Sequence, residues 1–109
     1  MEGMTPLPMP LDLPIWALAS LRVTRPDLRA LLGEPHFVET DPRRTCGGEE
    51  DAWAYVLPSG QRVLIILIPE IDTAEIFSDP PDLGPVLRAL GISPDDPRLE
   101  RHAEPILMK

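Results

Sequence analysis

The stretch DAWAYVLPSGQRVLIILIP, residues 51–69, narrows the fold more than any other part of this chain. Two runs rich in aromatic, β-branched and aliphatic residues flank Pro58-Ser59-Gly60, and Gly60 supplies the positive φ that a short hairpin loop needs. The pattern predicts a strand from Asp51, a tight turn, and a second strand from Gln61. In that second strand Val63, Ile65 and Leu67 point one way and Leu64, Ile66 and Ile68 the other, so both faces are apolar. Such a strand belongs in the middle of a sheet, with cover on each side.

The flanking segments supply helices and further strands. Thr24 as N-cap, Pro26 in the first turn, Asp27 completing a capping box, and Gly33 and Pro35 past the end predict a helix, with Val23 stapled onto Leu28. A helical turn or two is expected at Ile15–Leu21, a short strand at His36–Thr40, and a third hairpin-side strand at Thr73–Phe77 after a turn at Glu70–Asp72. A last helix is expected with Asp79 as cap and Pro80 at its first position. Leu83, Val86, Leu87 and Leu90 form its apolar stripe, Gly91 stops it, and Ile92 packs back onto it. Ser93 caps a further turn, and the tail over 103–109 docks as an edge strand. Residues 1–13, which alternate Pro with Leu and Met, read as an extended segment lying against the body. At 109 residues the chain is expected to form one domain, 1–109, able to bury roughly two-thirds of its unfolded surface. The fold class is α+β: an antiparallel sheet of three to five strands flanked by two or three short helices.

Charge is distributed unevenly. Residues 1–33 carry three acids and three arginines, and 83–109 four acids and four bases. Residues 34–82 hold eleven acids against Arg43, Arg44 and Arg62, which accounts for the whole formal charge of −8. An acidic middle repels phosphate backbones, so neither nucleic acid nor an anionic membrane is expected as a partner, whereas a basic protein is. No apolar run approaches the ~20 residues of a membrane span. Ala17-Leu18-Ala19 mimics a signal-peptidase site. The residues before it contain Glu2 and Asp12, no Lys or Arg, and prolines at 6, 8, 10 and 14 that break a signal helix. With a single cysteine, which cannot form an intramolecular disulfide, the expected location is cytoplasmic.

No residue pattern compels a reaction. Cys46 has His36 and His102 as conceivable bases, but Glu49, Glu50 and Asp51 close by disfavour its thiolate. Those three acids are consecutive, whereas calcium loops space their oxygens at alternate positions, and neither histidine has an i, i+4 partner for zinc. There is no GxGxxG, P-loop or GxSxG. The chain is expected to be no enzyme, with no catalytic residue, metal or cofactor. Trp53 and Tyr55 share one face of their strand, either under a helix or at an interface.

The stretch LRALLGEPHFVETDPRRTCGGEEDAWAYVLPSGQRVLIILIPEIDTAEIF resembles small immunity proteins encoded beside bacterial polymorphic toxins. The likeness lies in a helix ending in Gly-x-Pro, an acidic loop, Trp-x-Tyr on a strand, then LPSGQ and an aliphatic strand. It implies a non-enzymatic inhibitor that binds a cognate toxin domain with a basic cleft, and the residues expected to meet it are Glu39, Asp41, Glu49, Glu50, Asp51, Trp53, Glu70 and Asp72. TRPDLRALLGEP followed by WAYVLPSG is also similar to small outer-membrane-assembly lipoproteins and β-lactamase-inhibitor-like domains, although no lipobox cysteine is present. The alternative to an inhibitor is a structural or assembly module that self-associates, as a homodimer, through its sheet.

Overall fold

In the computed structural model, which describes residues 5–6, 15–40 and 49–108, the hairpin lies within an antiparallel sheet. Its strands are β4 (Glu49–Val56) and β5 (Arg62–Ile68), paired from Asp51↔Leu67 to Val56↔Arg62. Gly60, at φ +90°, lets the loop close: its N–H donates to Leu57 O at 2.8 Å, and Leu57 N–H donates to Gln61 O at 2.8 Å. A 3₁₀ turn at Pro69–Ile71 leads into β6 (Thr73–Asp79), which takes the other side of β5. Beyond β6 lie β2 (Ile15–Arg22) and then β7 (Leu99–Met108), so five full-length strands run in the order β4-β5-β6-β2-β7. Two short pieces, β1 (Thr5–Pro6) and β3 (Phe37–Thr40), share the outer edge of β4. The fold is the α+β class expected, with β5 in the interior of the sheet.

Two expectations need correction. Ile15–Leu21 is a strand and not a helical turn: Trp16 lies between Ser78 of β6 and Leu107 of β7, so two ladders satisfy its backbone. A bulge at Leu18, between Ala17 and Ala19, shifts the register. Asp79 and Pro80 do not open the second helix. The β5–β6 ladder runs on to Arg62↔Asp79, and the two side chains pair at 2.7 Å, so Asp79 still belongs to the strand. The helix α2 (Leu83–Leu90) starts after Asp82, whose carbonyl is held by the amide of buried Gln61 at 2.6 Å.

Both helices cover one face. In α1 (Arg25–Leu32) the Thr24 hydroxyl accepts from Asp27 N–H at 3.4 Å, the expected N-cap contact. Gly91, in the left-handed region, ends α2, and Ile92 N–H returns to Leu87 O at 2.9 Å, so the carbonyls of the last turn are satisfied. The main core forms between this layer and the sheet, from Leu28 and Leu32 of α1 and Val86, Leu87 and Leu90 of α2 against Trp53, Val63, Ile65, Leu67 and Ile76. The opposite sheet face carries a smaller cluster of Ile15, Ala17, Ala52, Ala54, Leu64 and Phe77.

One side chain completes the outer edge of β4. β3 pairs as far as Phe37↔Ala52, and β1 takes over at Pro6↔Tyr55. Between them Ala54 N–H donates to the ring Nδ1 of His36 at 3.1 Å, while the His36 N–H donates to Ala52 O at 2.9 Å. The imidazole stands edge-on to Tyr55, with ring centroids 4.9 Å apart. Replacing His36 with Phe keeps a ring but leaves the Ala54 N–H without its acceptor. The expected loss is about 1–3 kcal/mol, the penalty of an unsatisfied buried donor, read as a fall in the urea midpoint at unchanged slope.

Candidate interaction surface

Strand register decides which of the expected surface residues lie together. Thr40 faces Glu49 and Glu39 faces Glu50 across the β3–β4 ladder, while Ile68 of β5 and Arg22 of β2 both face Thr73 of β6. The end of β3, the start of β4, the β5–β6 turn and the end of β2 therefore lie at one end of the sheet. Glu39, Glu49 and Glu50 occupy backbone positions there, and exposed Glu70 and Asp72 project from the turn between β5 and β6. Asp41 and the loop with Arg43, Arg44, Cys46 and the paired glycines lie outside the described residues, as do the side chains of Glu39 and Glu49.

Asp51 and Trp53 do not belong to this surface. Both are 0 % exposed, on the helix-covered face of β4. The Asp51 carboxylate lies under α1 and accepts from Arg25 Nε at 3.0 Å, Arg25 Nη2 at 3.3 Å and Arg29 Nε at 3.1 Å. Its charge is neutralised inside the fold, because a buried carboxylate demands paired and hydrogen-bonded partners. The Trp53 indole N–H donates to Gly33 O at 3.1 Å, and the Tyr55 hydroxyl to Leu32 O at 3.0 Å, so both aromatics serve the core and clasp the end of α1. Burial pushes the Tyr55 phenol above its ordinary value, which keeps it a donor; that contribution is present below pH 10 and lost as pH rises beyond it.

Beside the acidic end, a recess of about 300 Å³ opens between Arg22, Thr24, Asp27, Asp72 and Arg98. Arg98 is fixed by Asp96 through two side-chain contacts of 3.1 and 2.9 Å, and this guanidinium holds the Asp96 carboxyl below its usual range. The lining thus carries both signs of charge, from Arg22 and Arg98 and from Asp27 and Asp72.

A polar cluster that the sequence did not suggest lies on the face away from the helices. Ser20 Oγ of β2 donates to Glu75 Oε2 of β6 at 2.7 Å, and His102 Nε2 of β7 contacts Glu75 Oε1. A serine nucleophile needs an imidazole to take its proton. Here hydroxyl and imidazole both address the carboxylate, so the trio ties three adjacent strands together. It is invisible along the chain because it depends on β2 entering between β6 and β7. Among the described residues no group of three or more His, Cys, Asp or Glu side chains is placed to hold a metal ion, and no helix is long and apolar enough to cross a membrane. No family model, curated protein or solved structure matches this chain.

Proposed function

We propose that this chain is a non-enzymatic immunity protein that binds a cognate toxin domain through the acidic end of its sheet and so blocks the toxin's basic cleft. One observation carries the reading: Glu39, Glu49, Glu50, Glu70 and Asp72, separate in sequence, converge at one end of a well-braced sheet. Charges held on a rigid frame present a fixed potential, which speeds encounter with a basic partner and disfavours acidic ones. Asp51 and Trp53, buried on the helix-covered face, take no part in the contact.

The test is co-expression with the C-terminal domain of a large secreted protein encoded beside this chain. Host cells survive if the reading is right. If that domain is harmless alone, or kills regardless of this protein, the reading is withdrawn. With the toxin in hand, Glu49→Lys combined with Glu50→Lys slows association about tenfold or more at low salt and flattens its salt dependence. An unchanged on-rate in stopped-flow removes this end of the sheet from the interface.

Self-association through the sheet is the second reading. What favours it is the outer edge of β7, which pairs with no described strand and ends in exposed Ile106, Leu107 and Met108.

A further inference from the structure

The two lateral edges of the sheet differ. On β4, β3 takes the edge from Glu49 to Ala52, the His36 ring takes Ala54, and β1 takes Tyr55 and Val56. On β7 the ten residues Leu99–Met108 pair on one side only among the described residues, and most of their side chains are exposed. A bare strand of that length is a template for another strand, and a second copy of the same chain is always present in solution.

The β7 edge is not continuous, however. It faces β2 as Leu99↔Leu21, Glu100↔Ser20 and Arg101↔Ala19, then resumes as Ile106↔Ala17, Leu107↔Trp16 and Met108↔Ile15. Five residue steps on β7 match two on β2, so His102–Pro105 bulges out of register and splits the edge into two three-residue pieces. Within the bulge Pro105 has no N–H to offer a neighbouring strand. At the start of β7 the Leu99 N–H already donates to Asp96 O at 3.0 Å. An antiparallel second copy centred on His102 would set Glu100 against a like-charged Glu104, and one centred on Ala103 would set Arg101 against Pro105.

We infer that the bulge and Pro105 close the β7 edge to a second copy, so that the exposed Ile106–Met108 end does not propagate into sheet-to-sheet pairing. The inference concerns strand geometry and is independent of the immunity reading. It turns the second reading into a latent property that the bulge and Pro105 together suppress.

Pro105→Thr restores a donor and a strand-favouring residue at an exposed position. Sedimentation equilibrium of this variant should show the weight-average mass rising with concentration toward that of two chains, above the parent at every matched concentration, with a superimposable far-UV dichroism spectrum. Pro105→Ala, which restores the N–H alone, should show a smaller rise and serves in place of the threonine variant if that one folds poorly. Identical mass curves for parent and variants overturn the inference. So does a parent that self-associates and is returned to single chains by Leu107→Lys.

Discussion

Trp53→Ala is expected to remove about 3–5 kcal/mol of stability, the range for deleting a large aromatic from a core that cannot collapse around the hole. The indole is fully enclosed and lies where β4 meets α1. Its loss also strips the Gly33 carbonyl of a 3.1 Å donor at the helix terminus. Small domains hold only about 5–15 kcal/mol in total, so the variant should be partly unfolded at 37 °C. Urea unfolding followed by far-UV dichroism gives the number directly. A loss below about 1 kcal/mol would mean that the indole is not the keystone between β4 and α1 that its burial indicates, and would return it to the candidate interface.

Stranding Asp51 is the second large effect. Arg25→Met combined with Arg29→Met keeps the aliphatic stems and removes both cations, leaving a carboxylate of 0 % exposure without its guanidinium partners. Breaking a buried pair by removing one partner costs about 3–5 kcal/mol. Here the low end is expected, because the two arginine side chains are 31 and 34 % exposed and solvent already screens part of the attraction. Adding Asp51→Asn should restore a large part of the loss, since the neutral amide no longer requires a counter-charge. Chemical denaturation of the double and triple variants checks both signs. A double variant as stable as the parent would show that Asp51 draws its support from elsewhere.

The arginine pair also marks where sequence reading stopped short. Asp51 closes the acidic run Glu49-Glu50-Asp51, and along the chain it reads as surface with its neighbours, the usual place for a carboxylate. A contrary signal was present in α1. Arg25 and Arg29 fall on the same helical face as Leu28 and Leu32, and cations set into an apolar stripe call for a buried acid opposite. Trp53 was ambiguous for another reason: the partner strand β5 is apolar on both faces, so cross-strand neighbours could not say which side α1 would cover.

Local features were legible. Gly60, the Thr24 cap and the Leu83–Leu90 stripe each depend on residues a few positions apart. β2 was not legible, because a short apolar run such as IWALAS reads equally as a buried turn of helix or a strand. Only its neighbours decide, and Ser78 and Leu107 are remote in sequence. Everything built on that insertion, including the Ser20–Glu75–His102 tie and the bulged β7 edge, was hidden with it.

The same insertion dictates when the molecule can become whole. β4, β5 and β6 follow one another through short turns and can zip up as soon as they exist, but β2, made early, has no partner until β6 exists and no second ladder until β7 does. Pairings of such long sequence separation form slowly, because the chain must first be confined. β2 is therefore made well before either of its partners, and stays without its second ladder until β7 has emerged. A truncation that removes β7 should leave β2 with one ladder in place of two, and so as the element most exposed to misassembly.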